Sequence, residues 1–449
     1  MNKIEKLRDK KVLVLGSAKS GEAAARLLHT HGAHVIVNDM AEKGIREKEL
    51  EALGVKVICG GHPEEVIEGH YDLIVKNPGI PYTNPVLQQA LEKGVPIWTE
   101  IELAYLATEA PIIAITGSNG KTTTTTLLYY MLHIGKKQPT LAGNIGTVAS
   151  SVSPQLTKEE ILILEVSSFQ LMGIEAFKPH IAIWTNVYDA HLDFHGSREA
   201  YIEAKAQITS QQTEEDYFIY NADQPELVEV AKQTKAKAIP FTVKGKTVEG
   251  ISVDDEYLYW QGEPIITRES IQLPGEHNLE NIAAATAAAL LVSCDKESIH
   301  HVLSSFTGVK HRMQFVKEWQ GIRFYNDSKA TNTLATKSAL SSFEQPIHLI
   351  AGGLDREHSF EALRPYMKNV QSVVAIGETK KRFASFAKGE NVPHVAEAMT
   401  MRDAVEKVLA QVKPGEIVLL SPACASWDEY KSFEERGDQF IDAVQQLTD

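Results

Sequence analysis

Short, wholly apolar runs alternate with amphipathic stretches along most of the chain. KVLVL at Lys11–Leu15 is followed by a glycine turn, a helical stretch at Glu22–His29 and a second apolar run, His34–Asn38, ending at Asp39. Strands alternating with helices at this spacing predict an α/β fold built on a parallel, doubly wound sheet. Further strands are predicted at Val55–Cys59, Asp72–Val75 and Pro96–Trp98, and Pro78, Pro81 and Pro85 punctuate the loop between the last two.

The pattern restarts near residue 100. Glu100–Ala107 reads as a short helix, and Ile112–Thr116 as a buried strand entering a glycine loop. Buried strands at Ile161–Val166 and Ile181–Asn186 follow, each ending in polar sequence. Residues 237–272 change to alternating β, with hairpin-like turns at Val243-Lys-Gly-Lys and Trp260-Gln-Gly-Glu, before an alanine-rich helix, Leu279–Val292. A third α/β unit begins near Gly308, with strands at Ile347–Ala351, Ser372–Ile376 and Ile417–Leu420. A chain of 449 residues has room for about three domains. Their expected limits are 1–99, 100–308 with the β-rich insert, and 309–449.

Charge narrows the partners. With 59 acidic against 45 basic residues the formal net charge is −14, which excludes a general nucleic-acid binder, since duplex affinity comes mostly from Lys and Arg on phosphates. Any phosphate must be gripped locally. Three scattered cysteines (Cys59, Cys294, Cys424) exclude a disulfide scaffold or zinc ribbon and fit a reducing compartment. The charged start MNKIEKLRDKK is not a signal peptide, and no apolar run approaches the ~20 residues that cross a bilayer. The expectation is a cytoplasmic protein without membrane insertion.

Local chemistry is densest at Thr116-Gly-Ser-Asn-Gly-Lys-Thr-Thr123, between a strand and a helix. Backbone N–H groups of Gly117, Ser118, Asn119 and Gly120 can wrap a phosphate chain, with the helix N-terminus and Lys121 adding positive charge. Thr122 and Thr123 follow, and the Thr122 hydroxyl is placed for the Mg²⁺ that accompanies ATP. An ordinary strand–helix turn is the bland alternative, and Ile115 stands where a standard P-loop carries its first glycine. At the N-terminus, Gly16-Ser-Ala-Lys-Ser-Gly21 is similar to the dinucleotide fingerprint, with Asp39 at the ribose-reading position. Ala18 replaces the middle glycine, so a glycine turn needed only for packing stays open.

Glu165 and His191 end successive strand regions of the middle unit and can converge on the Lys121 loop. Lys205, on the predicted helix Ser197–Ile208, is the odd neighbour, because an ammonium repels a cation. Asn278 and Asn281 share one helical face, where amides either read a base edge or cap a polar first turn. The third unit adds His311-Arg312, Asn326-Asp-Ser-Lys-Ala-Thr-Asn332, Gly352-Gly-Leu-Asp-Arg356 and Ser421-Pro-Ala-Cys-Ala-Ser426. Loops after strands, dense in small, polar and basic residues, suit an anionic ligand.

Together these motifs resemble those of the Mur ligases over essentially the whole chain. Gly143-Asn-Ile-Gly146, Glu165-Val-Ser-Ser-Phe-Gln170, Asp189-Ala-His-Leu-Asp193 and Gly275-Glu-His-Asn-Leu-Glu-Asn281 strengthen the match. The Asp-Ser-Lys-Ala-Thr-Asn and Ser-Pro-Ala-Cys-Ala-Ser motifs are similar to those of the branch that adds D-glutamate. The resemblance implies a UDP-binding Rossmann-like domain, a central ATPase domain and a C-terminal Rossmann-like domain for the amino acid. It implies ATP-dependent joining of D-glutamate to UDP-N-acetylmuramoyl-L-alanine in peptidoglycan precursor synthesis, by a monomer. Gly16, Lys19, Ser20, Asp39, Asn77, Gly79 and, from the middle domain, Asn144 would hold the sugar nucleotide. An arginine of some relatives is Ala41 here. Thr122, Glu165, His191 and a carbamylated Lys205 would serve two Mg²⁺ ions, and His191 would also position or deprotonate the amine. Asn278, Asn281, Arg312 and Asp327 would grip the nucleotide, with Lys329 nearby. Thr331, Arg356, Ser426 and Phe433 would form the D-glutamate pocket, Arg356 replacing a lysine of some relatives. Outside this family, a nicotinamide or flavin oxidoreductase and a non-catalytic nucleotide switch are the rival readings.

Overall fold

The computed structural model describes residues 3–188, 192–245 and 249–448. The chain divides into two compact units, Met1–Gln272 with Glu276–Phe306, and Leu273–Gly275 with Thr307–Asp449. Among the described residues the first unit carries two sheets and the second carries one.

The first sheet is parallel, in the order Lys56–Cys59, His34–Asp39, Lys11–Leu15, Leu73–Lys76, Ile97–Trp98. Its central strand alternates between two apolar layers, Val12 and Val14 on one face, Leu13 and Leu15 on the other. The chain order reverses beside that strand, so the loops after Leu15 and Lys76 part and leave a crevice at the carboxyl ends. Gly16 turns there at φ +96°, and a Cβ on Gly21 would sit 1.8 Å from the Gly16 carbonyl oxygen. Gly21 therefore lets the helix Lys19–Thr30 pack onto the turn.

The middle sheet orders Glu263–Thr267, Tyr257–Trp260, Ile251–Val253, Lys237–Thr242, Tyr217–Asn221, Ile181–Trp184, Ile112–Thr116, Ile161–Glu165 and Pro139–Gly143. The β-rich insert extends this sheet instead of standing apart. The turn at Val243 does not make a hairpin, because Lys237–Thr242 and Ile251–Val253 pair in parallel. The turn at Gln261-Gly262 does, with both residues at positive φ. The alanine-rich helix spans Glu276–Leu291 and is buried along most of its length.

The two sheets of the first unit are stitched together at residues 98–102. Thr99, fully buried, donates its N–H to Gly173 O (2.7 Å) and its hydroxyl to Gln170 O (2.6 Å). The Glu102 carboxylate accepts the backbone N–H groups of Glu175, Ala176 and Phe177, each at 2.9 Å. In the second unit one antiparallel strand, Gln314–Trp319, edges five parallel ones ordered Ile322–Asn326, Ile417–Leu420, Ile347–Gly352, Val370–Ile376, His394–Glu397. Apolar clusters cover both of its faces. Among the described residues no helix is long and apolar enough to cross a membrane.

Candidate active site

Gly117–Gly120 links the strand Ile112–Thr116 to the helix Lys121–Ile134. Gly117 and Gly120 both lie at positive φ, and a Cβ would come 2.0 Å from Thr185 Oγ1 at the first and 1.8 Å from Asn281 Oδ1 at the second. The loop is thus pressed against its neighbours at two glycines. It is also tied down: Asn186 O accepts from the Ser118 N–H and Asn186 Oδ1 from the Asn119 N–H, both at 2.9 Å. Ser118 Oγ bonds the Tyr201 hydroxyl at 3.0 Å and accepts from the Tyr188 N–H. Such a loop at a helix N-terminus is built to receive phosphate oxygens.

Lys121 Nζ donates to Gly117 O (2.7 Å) and Ser118 O (3.1 Å). Lys205, fully buried on the helix Arg198–Ala206, reaches the same Gly117 oxygen at 3.0 Å and Thr116 Oγ1 at 3.3 Å. Burial, and then the Lys121 charge, push the Lys205 amine well below its ordinary value, against a smaller opposing pull from Glu165. Glu165 ends the neighbouring strand, 1 % exposed; Oε1 accepts from Asn144 Nδ2 at 2.9 Å, and Oε2 is buried with no hydrogen-bond partner among the described residues. A Cβ on Gly143 would lie 2.4 Å from Glu165 O, so that glycine permits the approach of the Asn144 loop. An orphaned buried carboxylate oxygen suits a hard cation, and an amine whose charged form burial disfavours suits addition of CO₂. Among the described residues no group of three or more His, Cys, Asp or Glu is set to hold a metal. Thr122 lies buried at the helix start, and His191 falls outside the described residues.

Asn278 and Asn281 stand behind the phosphate loop. Asn281 Nδ2 donates to Asn278 Oδ1 (2.9 Å), while its Oδ1 meets Thr124 Oγ1 at 3.3 Å. At the first sheet's crevice, Asp39 accepts from the Ser17 N–H and hydroxyl (2.6 and 2.8 Å) and from the Ala41 N–H. Burial would raise this carboxyl, but those hydrogen bonds outweigh it and hold it below the usual range. Asn77 packs against Gly16, while Lys19 and Gly79 are exposed and Ser20 half-buried.

In the second unit, positive φ at His311 and Met313 flanks Arg312 in a tight turn. Asp327 is buried, accepting from Ser421 Oγ (2.9 Å) and the Met313 N–H (3.1 Å), and burial pushes its carboxyl up to about 7 despite those bonds. Lys329 Nζ lies 5.6 Å from the Phe433 ring centre. Thr331 is half-buried, Ser426 buried, and Arg356 exposed.

Three family models cover most of the chain: the MurD-like N-terminal domain of Mur ligases matches residues 10–99, the Mur ligase middle domain 115–289, and the Mur ligase glutamate ligase domain 311–424. The chain belongs to the Mur ligase family. Among Mur ligases it is 53 % identical, over 99 % of its length and 98 % of the relative, to a Shouchella clausii protein named UDP-N-acetylmuramoylalanine–D-glutamate ligase. A Halalkalibacterium halodurans protein of the same name is 50 % identical with both chains fully covered. The Mur ligase fold is also that of solved structures: MurC from Thermotoga maritima (TM-score 0.59, 19 % identity, 98 % of this chain and 100 % of that one) and MurF of the same organism in complex with ADP (TM-score 0.57, 17 % identity, 100 % and 98 %).

Several residues that support this Mur ligase site were not singled out by the sequence, although Glu280 lies inside a quoted motif. Tyr201 lays its ring 4.7 Å from Lys205 Nζ and bonds Ser118. Glu280 accepts from Asn186 Nδ2 at 3.1 Å behind the phosphate loop. Lys76, 2 % exposed, gathers Pro78 O and Ile80 O at 2.9 and 3.0 Å, and burial lowers its amine to about 8. Arg436, fully buried, donates to Ser328 Oγ and O and to Ala425 O, tying two of the C-terminal loops. The Lys-Asn-Pro context at a strand end hints at Lys76, and the Phe-Glu-Glu-Arg start of the helix Phe433–Thr448 at Arg436.

Proposed function

We propose that this chain joins D-glutamate to UDP-N-acetylmuramoyl-L-alanine at the expense of ATP, in peptidoglycan precursor synthesis. The arrangement that carries the reaction class is the tied phosphate loop with the amines of Lys121 and buried Lys205 both on the Gly117 carbonyl oxygen, the latter within the pull of the half-bonded Glu165. The choice of D-glutamate rests on the shared name of the full-length relatives. The lactoyl-alanine carboxylate attacks the γ-phosphorus of ATP; an O–P bond forms, the β–γ bridge breaks, and ADP leaves. The D-glutamate amine then attacks the acyl carbon, phosphate departs with the C–O electron pair, and the amine gives up a proton as the amide forms.

The loop amides of Gly117–Gly120 and the Lys121 ammonium hold the phosphates and offset the charge gathered between two anions. The Lys205 amine, its affinity for a proton lowered by burial, takes up CO₂ in its uncharged form to become an anionic carbamate, releasing one proton. Two magnesium ions, held by Thr122, Glu165, His191 and the carbamylated Lys205, would supply further charge neutralisation at the phosphates. Asn278, Asn281, Arg312, Asp327 and Lys329 hold the nucleotide. Gly16, Lys19, Ser20, Asp39, Asn77, Gly79 and Asn144 hold the sugar nucleotide, and Thr331, Arg356, Ser426 and Phe433 the amino acid. The domains run 1–99, 100–308 and 309–449. The protein works as a cytoplasmic monomer, without nucleic acid.

The decisive experiment compares ADP release with D-glutamate, L-alanine, L-lysine and meso-diaminopimelate, with UDP-N-acetylmuramoyl-L-alanine present. Turnover stimulated by D-glutamate alone is expected; stimulation by another of the four would move the chain to a sibling reaction.

A further inference from the structure

Two loops at the carboxyl ends of adjacent strands run side by side in the second unit: the one after Ile347–Gly352 and the one after Ile417–Leu420. Gly352 N–H donates to Pro422 O (2.8 Å) and Leu354 N–H to Ala425 O (2.9 Å). A Cβ on Gly353 would fall 2.2 Å from that Ala425 oxygen, and Arg436 Nη1 meets the same oxygen at 3.3 Å. The loops are a rigid base. From them two side chains stand out: Arg356, and Trp427, which is 66 % exposed beside buried Ser426. The Arg356 guanidinium carbon lies 5.1 Å from the centre of the Trp427 ring.

Arg356 makes no hydrogen bond and no ion pair among the described residues, although carboxylates surround it in sequence. Its neighbour Asp355 is engaged elsewhere, bonded by Arg382 and by the Glu357 N–H. Beside Trp427, Asp428 Oδ2 accepts the Glu378 N–H at 3.0 Å, while its Oδ1 is buried with no hydrogen-bond partner among the described residues. A guanidinium resting on an aromatic face keeps its N–H donors directed outward from its edge, in the fork geometry that fits a carboxylate. The ring also holds the long side chain in place before a ligand arrives, which reduces the ordering cost of binding.

We propose that Trp427 is a positioning residue, the support that presents Arg356 to a carboxylate of the incoming amino acid. This rests on the D-glutamate reading above. It gives Trp427 a role apart from the residues that touch phosphate, and it gives a reason for arginine at 356, since a planar cation stacks on indole and binds a carboxylate with two parallel hydrogen bonds.

The test measures D-glutamate-dependent ADP release by full-length protein at saturating ATP and UDP-N-acetylmuramoyl-L-alanine. Trp427→Leu is expected to raise KM for D-glutamate roughly three- to thirtyfold, with kcat and KM for ATP little changed. Trp427→Phe should recover most of the loss. In an Arg356→Gln background Trp427→Leu should add nothing, because the pair acts as a unit. D-glutamate should also change the tryptophan fluorescence of the unaltered protein and not that of Trp427→Phe. An unmoved KM in Trp427→Leu, or an equal loss for ATP, overturns the role of Trp427 alone. No D-glutamate-dependent turnover in the unaltered protein overturns the reaction and this role together.

Discussion

Lys121 and Lys205 donate to one carbonyl oxygen, that of Gly117, so the Lys121 charge adds to the larger effect of burial in lowering the Lys205 amine. Lys121→Ala should lower D-glutamate-dependent turnover on the order of 10²–10³ or more, since it removes a charge clamp at the transferring phosphate; near-normal ADP release would refute that role. Lys205→Ala should be partly restored by added short carboxylates such as acetate or propionate, which replace the anionic end of a carbamate; indifference to them argues against carbamylation. Asp327 supplies a pH signature. Its folded value of about 7 lies above the ordinary 3.8, so the native state keeps a proton that the unfolded chain has released. Its contribution is complete below about pH 4 and is lost as pH rises towards 7, by about 1.4 kcal/mol per pH unit. Urea unfolding of Asp327→Asn across that range should lack this slope. Gly-Lys-Thr after an apolar run makes Lys121 legible in sequence, because the loop's chemistry is local. The Glu165 orphan and the Lys205 burial are not local: they depend on a strand and a helix meeting far along the chain. The spacing of Asn278 and Asn281 puts them on one face, but only packing shows that this face leans on the phosphate loop.

At the scale of elements, the helix Glu100–Ala107 matters for what it carries on its buried side. Glu102 collects three backbone N–H groups that have no other partner of comparable quality in the 175–177 turn. Glu102→Ala should therefore destabilise the first unit by on the order of 2 kcal/mol, read as a lower midpoint in urea, because it strands three donors, that of Phe177 buried and the other two partly so. This helix was legible to the residue, as were the strands Ile112–Thr116 and Ile417–Leu420, where apolar runs have sharp polar ends. The strand Pro139–Gly143 was not, since a proline-led start and a polar Thr140 blur it. The parallel pairing of Lys237–Thr242 with Ile251–Val253 was equally hidden. Turn residues between two strands suggest a hairpin, yet the direction of pairing depends on where the chain re-enters the sheet.

Across the whole molecule, three sheets among the described residues fall into two compact units, although motif spacing suggests three domains. The second unit has its own sheet with apolar layers on both faces, so residues 307–449 should fold alone. A cooperative urea transition with near-ultraviolet dichroism would establish this; a non-cooperative melt would refute it. The first unit behaves differently, and Thr99 shows why. It stands at the limit a motif reader would choose for a cut, yet it is sealed from solvent, with its amide and hydroxyl both engaged on residues 170–173. A fragment severed there would carry a raw, unpaired seam, and so would its other half. Recombination that swaps N-terminal sheets among such enzymes must carry the 170–177 stretch along with them, or leave the graft to unravel at its own joint.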